Sequence, residues 1–486
     1  MMSDPKQIQR DVLWTSEDAE TATGGSASGS WAATGVSIDN RTLVPGDLFV
    51  AIKGPNFDGH KFAAAAIAAG AAAVVIDHVP GDLGDTAPLL RVADTLQALR
   101  DLAVAARART SARIIAVTGS VGKTGSKEAL KFVLSRQALT SASEGSLNNH
   151  WGLPLSLSRL PQRATFGVFE MGMNHPGEIA PLSKMARPHV VLITNVEAVH
   201  SAYFESVEEI ANAKAEIFAG VEPGGMAVLN RDNEHFHRLS EAARKCGLDR
   251  VIGFGVSEDA SFRLIEETPD ADGSSVTVDI DGNVTTYRLA IAGHHWVMNS
   301  LGVLAAVAAA GGNVSEAARS FADLSAPRGR GRIHHIAVGG HAFTLIDESY
   351  NASPVSMNAA FEVLSQTTTG PGGRRIAVLG DMLELGENSV ERHVGLAASL
   401  ERNGVDLVFT AGSDMAHLYD AVAAEMRGGR AENSEALLPV VMSAIKAGDV
   451  VMVKGSLGSR TGLIVDALLG QFDKPGAQPR RVVNGQ

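Results

Sequence analysis

The 486-residue sequence predicts an α/β protein that folds into three domains. A chain of this length exceeds the size at which one hydrophobic core stops growing, and it suffices for about three domains. Short apolar, β-branched runs alternate with segments of helical spacing, a pattern typical of parallel sheets covered by helices on both faces. The pattern is interrupted near Val92 and again at 327–332 (PRGRGR), which predicts domains over 1–92, 93–325 and 326–486.

The first predicted domain is a small α/β unit. Pro45 and Gly46 predict a turn before a strand that ends near Ile52, and the Gly/Ser/Thr-rich stretch 21–30 predicts a loop. The other predicted elements are a helix over 61–70, a strand over 73–76 and a linking helix over 94–109.

The second and third predicted domains each contain a parallel sheet. The predicted strands are 113–117, 166–170, 190–194 and 226–229 in the second domain, and 343–346, 375–379, 407–410 and 450–453 in the third. The predicted helices of the second domain are 124–134, 207–220 and 296–311. Three short alternating runs within 261–291 (SFRLI, SVTVDI and TTYRLAI) predict an antiparallel insert.

The composition argues against several classes of protein. A net charge of −12 leaves no broad basic surface, so no nucleic-acid partner is expected. The alanine-rich run 62–76 is too short to cross a bilayer, and no basic-then-apolar leader is recognised, so no membrane insertion is expected. The single cysteine, Cys246, rules out an internal disulfide framework and suits a reducing compartment. We therefore expect a cytoplasmic protein.

The segment VTGSVGKTGSKEAL, residues 117–130, predicts a site for a nucleoside triphosphate. It joins a predicted strand to a predicted helix, so that backbone N–H groups and the helix dipole meet phosphate oxygens. Lys123 is placed to reach the β- and γ-phosphates, and the Thr124 hydroxyl is placed to bind Mg²⁺. Val117 occupies the position of the usual first glycine, so the loop is a shortened variant of a P-loop. The residues expected to hold the phosphates are Gly119, Ser120, Val121, Gly122, Lys123 and Thr124.

Polar residues also follow other predicted strands of the second domain, where parallel sheets gather their chemistry. Glu170 ends the strand 166–170, and a carboxylate beside a P-loop suits Mg²⁺; the alternative is a capping or solvated glutamate. His200 follows the strand 190–194, and Lys214 lies within a predicted helix. Taken alone, these two residues are better explained by a structural histidine and a solvated lysine.

Two further polar groups belong to the third predicted domain. Arg328 and Arg332 either clamp a phosphate or carboxylate or are solvated charges at a hinge. Strand ends carry the other polar residues, namely Asp347, Ser349, Tyr350, Asn351, Lys454 and Ser456. Polar groups concentrated in loops serve binding in most proteins, which favours a ligand here.

Taken in order, segments from about Val36 onwards resemble the Mur ligases. They are SIDNRTLVPGDLFVAIKG, FDGHKF, VTGSVGKT, GSLNNHWGLPLSL, FEMGMNHPGEI, TNVEAVH, NAKAEIF, DESYNASPVSM, VLGDMLELGE and VKGS. The resemblance implies that 1–92 binds a UDP moiety, that 93–325 is a central ATPase domain and that 326–486 is a Rossmann-like domain.

The resemblance also implies an activity. Family members use ATP and Mg²⁺ to phosphorylate a carboxylate, and an amine then attacks the acyl phosphate to give an amide. The SYNASP segment favours the members that join D-alanyl-D-alanine to UDP-N-acetylmuramoyl-tripeptide. These two substrates are therefore the expected partners, and we expect a monomer.

Site roles follow from the resemblance residue by residue. The catalytic positions of the family are matched by Lys123, Lys214, His200 and Glu170. Its metal ligands are matched by Thr124, Glu170, His200 and Lys214, the last as a carbamate. The residues matched to the nucleotide are His295, Asn299, Arg328 and Asp347, in addition to the P-loop. The residues matched to the other substrates are Ser37, Arg41, Asp58, Gly59, His60, Asn148, Asn149, Tyr350 and Asn351.

Three positions depart from the family pattern. Gly125 stands where a hydroxyl residue commonly follows the Lys-Thr pair, and Trp296 replaces a frequent asparagine beside the adenine. The segment VKGSLGSR lacks the usual arginine directly after KGS, and Arg460 is the nearest substitute.

Other functions remain as alternatives at this point. Within the superfamily they are the ligase that adds the third peptide residue, whose usual Asp-Asn-Pro-Arg motif is missing here, and folylpolyglutamate synthase. A P-loop kinase or regulatory NTPase would not need a second α/β domain with its own polar strand ends. A dinucleotide-dependent oxidoreductase would require a G-x-G-x-x-G after a strand, followed by an acidic residue.

Overall fold

The computed structural model describes residues 11–54, 57–84, 86–198, 203–270, 272–338 and 341–472. Within these ranges, sheets of five, nine and six strands follow one another along the chain, together with a two-stranded pair. The α/β class predicted from the sequence is what the structure shows. In the described part of the chain, no helix is both long enough and apolar enough to cross a membrane.

The first sheet has the strand order β2-β7-β6-β5-β4, and β1 pairs with β3 beside it. The strands are β1 (Trp14–Thr15), β2 (Ser26–Ala27), β3 (Ala32–Ala33), β4 (Gly35–Ser37), β5 (Asp47–Val50), β6 (Ala73–Ile76) and β7 (Leu89–Arg91). The helices are α1 (Ser16–Thr23), α2 (Ala63–Ala68) and α3 (Thr95–Ala108). The loop predicted over 21–30 is wrong in part, because α1 continues to Thr23, Gly24 caps it at φ 66°, and β2 follows.

The second sheet has the order β16-β15-β14-β13-β12-β11-β8-β10-β9. Its strands are β8 (Arg113–Thr118), β9 (Thr140–Ala142), β10 (Phe166–Glu170), β11 (Val190–Ile193), β12 (Met226–Asn230), β13 (Arg250–Gly255), β14 (Phe262–Asp270), β15 (Gly273–Ile280) and β16 (Asn283–Leu289). Its helices are α4 (Lys123–Ser135), α5 (Gly152–Ser158), α6 (Ile179–Ala186), α7 (Val207–Ala215), α8 (Phe236–Lys245), α9 (His294–Ala309) and α10 (Val314–Ser320). The predicted antiparallel insert is present as β14–β16, and it extends the edge of this sheet.

Both faces of the second sheet are buried at its central strands β8, β10 and β11, which explains why these strands are continuously apolar. In β8, Ile115 and Val117 pack into the core on one face, whereas Ile114 and Ala116 pack into the core on the other. This alternation is the two-residue period of a strand, and helices covering both faces allow parallel strands to remain apolar throughout.

The third sheet has the order β17-β18-β22-β19-β20-β21, with β17 antiparallel to β18 and the other pairs parallel. Its strands are β17 (Arg332–Val338), β18 (His341–Glu348), β19 (Arg375–Gly380), β20 (Leu407–Ala411), β21 (Arg427–Ala431) and β22 (Val450–Lys454). Its helices are α11 (Pro354–Gln366), α12 (Ser389–Val394), α13 (Ala397–Arg402), α14 (Ser413–Ala421), α15 (Ser434–Ala444) and α16 (Gly462–Phe472). Strands β17 and β21 were not predicted from the sequence.

Candidate active site

The carboxyl ends of strands from the second and third sheets meet at a cavity of about 620 Å³. From the second sheet come the P-loop after β8, Glu170 at the end of β10 and Thr194 after β11. From the third sheet come Glu348 at the end of β18 and Lys454 at the end of β22. Strand ends of parallel sheets are where α/β proteins bind ligands, so the cavity is the candidate active site.

We call the side of the cavity formed by the second sheet the P-loop wall. It consists of Ser120, Val121, Gly122, Lys123, Thr124, Asn148 and Glu170. The opposite side, formed by the third sheet and the chain leading into it, is the C-terminal wall. It consists of Arg330, Glu348, Tyr350, Asn351 and Lys454.

The P-loop depends on its glycines. A β-carbon at Gly119, which has φ 151°, would lie 2.0 Å from the Thr194 hydroxyl, so no other residue fits there. Gly122 begins α4 at φ 86°, a conformation that glycine adopts without strain. The Lys123 ammonium donates to the carbonyls of Gly119 (2.6 Å) and Ser120 (3.2 Å), and burial lowers its pKa while the Glu170 charge opposes that shift. The Lys123 side chain therefore lies over the P-loop and is held by two of its backbone carbonyls.

Three side chains of the P-loop wall form one hydrogen-bonded chain. The Thr124 hydroxyl donates to Oε2 of Glu170 at 2.8 Å, and the Asn148 amide donates to Oε1 of the same carboxylate at 2.8 Å. Glu170 is 1% exposed, and its backbone N–H donates to the Ser143 hydroxyl. A buried carboxylate beside a hydroxyl supplies the hard oxygen ligands that Mg²⁺ requires, so these residues fit the ion.

Lys214 lies on α7, is 2% exposed and is not among the residues that line the cavity. Burial, and after it the nearby positive charge of Lys123, hold the pKa of Lys214 well below its usual value. Among the residues that the structure describes, Lys214 has no hydrogen-bond partner for its ammonium group. The solvated lysine that its sequence context permits is thus not what the structure shows. His200, the other predicted metal ligand, lies outside the described residues.

The C-terminal wall is organised by a buried ion pair. The Lys454 ammonium donates to Oε2 of Glu348 (3.0 Å) and to the carbonyl of Asn351 (3.0 Å), and Lys454 is 2% exposed. The Tyr350 hydroxyl is hydrogen-bonded to the hydroxyl of Ser146, which belongs to the second sheet's loop. The Arg330 guanidinium lies 4.4 Å from the centre of the Tyr350 ring. A polar contact therefore joins the two walls.

Helix α9 contributes residues to the cavity between the walls. His295, Trp296 and Asn299 all line it. The Asn299 amide packs on the P-loop, since a β-carbon at Gly122 would lie 2.7 Å from Oδ1 of Asn299. Burial lowers the pKa of His295, which favours a neutral imidazole. The structure thus brings the predicted residues His295 and Asn299 to the same cavity as the P-loop.

Besides Gly119 of the P-loop, two residues predicted at the nucleotide, Asp347 and Arg328, do not line the cavity. Asp347 is fully buried and accepts hydrogen bonds from the Gly329 N–H (2.8 Å) and from the Ser349 hydroxyl (2.6 Å), so it holds the turn between the second and third sheets. Arg328 is exposed and pairs with Asp466 on α16. The cavity is lined instead by their neighbours, Glu348 and Arg330, which the sequence did not single out.

The predicted substrate residues of the first sheet lie apart from the cavity. The His60 ring is buried, with Nδ1 2.7 Å from the Asp58 carboxylate, and a β-carbon at Gly59 would lie 2.8 Å from the backbone of Ala51. Ser37 is buried and donates to the carbonyl of Asp39.

Two other predicted substrate residues are held by local hydrogen bonds. The exposed Arg41 guanidinium is paired with Asp39. Asn149 does not line the cavity, and its Oδ1 accepts from the N–H of Gly152 at 2.9 Å at the start of α5. Of the predicted pair, Asn148 alone lines the cavity.

A P-loop that faces the strand ends of a second α/β sheet across one cavity defines a nucleotide-binding protein of two facing α/β sheets. Family models described as "Mur ligase family, catalytic domain", "Mur ligase middle domain" and "Mur ligase, glutamate ligase domain" match residues 32–107, 117–307 and 331–457. The chain belongs to the Mur ligase family, which confirms the resemblance seen in the sequence.

Individual relatives match over almost the whole chain. A UDP-N-acetylmuramoyl-tripeptide–D-alanyl-D-alanine ligase of Rickettsia prowazekii is 31% identical over 455 residues, which cover 94% of this chain and 99% of the relative. The crystal structure of MurF from Acinetobacter baumannii is similar at a TM-score of 0.81 and 29% identity, covering 94% of this chain and 99% of that one. MurF ligase from Thermotoga maritima in complex with ADP matches at a TM-score of 0.72 and 26% identity, covering 89% and 96%.

Proposed function

We propose that this protein joins the terminal carboxylate of UDP-N-acetylmuramoyl-tripeptide to the amino group of D-alanyl-D-alanine at the expense of ATP. The observation that carries the proposal is the single cavity into which the P-loop and the polar strand ends of the third sheet both open. A protein that only hydrolysed a nucleotide would have no need of the C-terminal wall. The relatives whose names state this reaction match 94% of the chain or nearly as much.

ATP would bind to the P-loop wall. The backbone N–H groups after β8 and the N-terminus of α4 suit the phosphates, and Lys123 neutralises the charge that passes between donor and acceptor oxygens. His295 and Asn299, at the start of α9, are placed for the nucleoside. The residues that would hold Mg²⁺ are Thr124 and Glu170, together with His200 and carbamylated Lys214, and the ion would supply charge neutralisation at the phosphates.

The reaction has two steps, a phosphoryl transfer and an attack by the amine. A carboxylate oxygen of the tripeptide attacks the γ-phosphorus; a phosphorus–oxygen bond forms to the peptide while the bond to ADP breaks. The neutral amine of the dipeptide then attacks the acyl carbon, loses a proton, and expels inorganic phosphate to leave the amide. Asn148, which bonds Glu170, lies where a peptidyl carboxylate would approach the P-loop.

The amine would approach from the C-terminal wall. Tyr350 and Asn351 belong to the segment that faces the P-loop, and Glu348 offers a carboxylate to an ammonium group. The Tyr350–Ser146 hydrogen bond joins this segment to the loop that carries Asn148. We propose that Asp347 serves by fixing the turn at Gly329, and that Arg328 approaches the nucleotide only if that turn rearranges.

Lys214 is proposed to act as a carbamate. A neutral amine reacts with carbon dioxide to form a carbamate and release a proton, and the lowered pKa of Lys214 favours the neutral amine. The product is a carboxylate-like group beside the positive charge of Lys123. It would convert a buried amine without a described partner into a ligand for Mg²⁺.

The remaining roles are proposed on the same basis. Residues 1–92 would bind the UDP end of the substrate, with 93–325 holding ATP and 326–486 holding the amine. The substrate contacts in the first domain would come from Ser37, Arg41, Asp58, Gly59 and His60, with Asn149 at the peptidyl end. We propose that the protein acts as a monomer in the cytoplasm, which suits its single, exposed cysteine.

An amine screen coupled to phosphate release tests the proposal. Phosphate should be released only when ATP, UDP-N-acetylmuramoyl-tripeptide and D-alanyl-D-alanine are all present. Release without the peptide precursor and the dipeptide, or with glutamate as the working amine, would overturn it. Glutamate is the informative control because one of the matched family models is described as a glutamate ligase domain.

A further inference from the structure

Lys127, a lysine of α4, is buried outside the cavity and contacts a loop that reaches it. It lies three residues after Thr124 and is 0% exposed. Its ammonium group donates to the carbonyls of Ser143 (2.8 Å) and Gly145 (3.0 Å), and it also pairs with the Glu128 carboxylate. A lysine is rarely buried completely unless its charge is paired, so these three acceptors account for its position.

Both carbonyls belong to the Asn148 loop, residues 143–148, which follows β9. The hydroxyl of Ser143, at the start of the loop, accepts a hydrogen bond from the Glu170 N–H at 3.0 Å. Ser146 is hydrogen-bonded to the C-terminal wall, and Asn148, at the end of the loop, donates to Oε1 of Glu170. The buried lysine therefore holds the backbone of a loop that has contacts with both walls.

The Glu170 carboxylate completes a ring of contacts that begins and ends at α4. Its Oε2 accepts from Thr124 of α4, and its Oε1 accepts from Asn148. Lys127, further along the same helix, holds the loop that carries Asn148. Residues three apart lie on the same side of a helix, so α4 sets the positions of both groups that bind the carboxylate.

We propose that Lys127 is a positioning residue: it fixes Asn148 relative to the P-loop, and thereby the place at which the peptidyl carboxylate meets the γ-phosphate. The inference rests on the proposed ligase function, in which Asn148 lies where that carboxylate approaches. Lys127 is not among the residues that line the cavity, so it acts through the Asn148 loop. Small displacements of reacting groups cost large factors in rate, so the reaction requires that this loop be held in place.

Lys127→Met tests this role, because methionine fills the space without donating a hydrogen bond. The Asn148 loop is then held less firmly, and the Kd for UDP-N-acetylmuramoyl-tripeptide should rise about tenfold, as loss of a charged hydrogen-bond donor generally costs. The Kd values for ADP and for UDP-N-acetylmuramic acid, which lacks the peptide, should each change by less than about twofold, since independent sites do not couple. Lys131→Met, one turn further along α4, is the matched control and should leave all three constants unchanged.

A double variant separates positioning from a general loss of stability. Because Lys127 acts through Asn148, Lys127→Met/Asn148→Ala should bind UDP-N-acetylmuramoyl-tripeptide no more weakly than Asn148→Ala alone. Lys127→Arg keeps the cation but presents its donors in a different geometry, so it should restore the Kd to within about threefold of the native value. Lys127→Gln, which keeps a neutral donor, takes the place of Lys127→Met in these comparisons if the methionine variant does not fold.

The outcomes separate the role of Lys127 from the function on which it rests. Equal weakening of ADP and tripeptide binding, losses of binding free energy that add in the double variant, or native tripeptide affinity in Lys127→Met would each overturn the positioning role. A native protein that binds ADP but not UDP-N-acetylmuramoyl-tripeptide would overturn the proposed function, and the role with it. Binding is measured by titration calorimetry on the full chain, and denaturant unfolding shows whether each variant is folded.

Discussion

The P-loop wall is held by hydrogen bonds within one sheet, whereas the C-terminal wall depends on an ion pair and on contacts that reach across the cavity. Thr124, Glu170 and Asn148 bond to one another, and Lys123 bonds to the loop that carries it. On the opposite side, Lys454 is bound to Glu348, and Tyr350 reaches Ser146 on the second sheet. The P-loop wall is therefore held by its own hydrogen bonds, whereas the C-terminal wall also depends on a contact with the second sheet.

We infer from this difference that the two walls serve different stages of the proposed reaction. A wall whose side chains are already held in place by hydrogen bonds suits ATP, which needs no closure of that wall in order to bind. A wall joined to its partner by single polar contacts suits closure over a second substrate, since such contacts are readily broken and remade. On this inference the P-loop wall governs the chemistry, whereas the C-terminal wall governs stability and the approach of the amine.

The largest effect is expected at the P-loop wall. Lys123→Met removes the cation that neutralises the transferring phosphoryl group, and kcat should fall about a thousandfold. Phosphate release with both substrates present measures it. Lys245→Met, at the exposed end of α8, is the matched control and should keep native activity. Retention of more than a tenth of the activity by Lys123→Met would show that the P-loop wall does not carry the chemistry.

A smaller loss is expected at Lys214, which lies within reach of the Lys123 charge. Lys214→Ala removes one proposed ligand of the metal site, so kcat should fall about a hundredfold, and excess bicarbonate should not restore it. Isotopically labelled bicarbonate should give a carbamate NMR signal with the native protein and none with Lys214→Ala.

The carbamate hypothesis also predicts the direction in which activity changes with pH. The pKa of Lys214 is lowered, so acidification through that pKa converts the amine to an ammonium ion that cannot take up carbon dioxide. Activity that depends on added bicarbonate should therefore fall as the pH is lowered. Full activity of Lys214→Ala would remove the carbamate from the mechanism.

The sequence predicts the P-loop wall better than the C-terminal wall, and the reason is physical. A P-loop is a contiguous turn between a strand and a helix, so its residue types fix its local geometry. Glu170 could be placed because it ends a strand next to the P-loop strand in a parallel sheet. Lys214 could be named only by resemblance, since burial within a helix of mixed composition leaves no local pattern.

The residues of the C-terminal wall could not all be predicted from the sequence. Successive residues of a strand point to opposite faces, so a motif that includes both Asp347 and Glu348 does not say which one faces the cavity. The structure turns Glu348 towards it and buries Asp347 against Gly329. A β-carbon at Gly125 of α4 would lie 2.9 Å from the Trp296 ring of α9, and this approach of two distant segments could not be found from either segment alone. The predicted domain boundaries stay a prediction.

An intermediate effect, on stability, is expected at the C-terminal wall. Lys454→Met leaves the Glu348 carboxylate without its partner, and breaking one half of a buried pair costs about 3 kcal/mol in the free energy of unfolding. The double variant Lys454→Met/Glu348→Leu should recover most of that loss, because two apolar side chains need no partner. Arg430→Met, which breaks an exposed pair between β21 and Asp420 of α14, should cost under about 1 kcal/mol. Equal losses in the single and double Lys454 variants, measured by denaturant unfolding, would show that the pair does not organise this wall.

The smallest effects on activity are expected at Arg330 and Arg328, two arginines of one turn. Arg330 lies in the cavity over the Tyr350 ring, so Arg330→Ala should lower kcat/KM for D-alanyl-D-alanine roughly tenfold, the value of a partly desolvated cation–π contact. Arg328 is exposed and paired with Asp466, so Arg328→Ala should change the same constant by about twofold or less. The opposite order of effects, with ATP as the affected substrate, would mean that the turn at Gly329 rearranges during turnover and carries Arg328 to the nucleotide. In that case the C-terminal wall would be the more mobile of the two, and Asp347, which holds the turn through the Gly329 N–H, would be the residue that controls it.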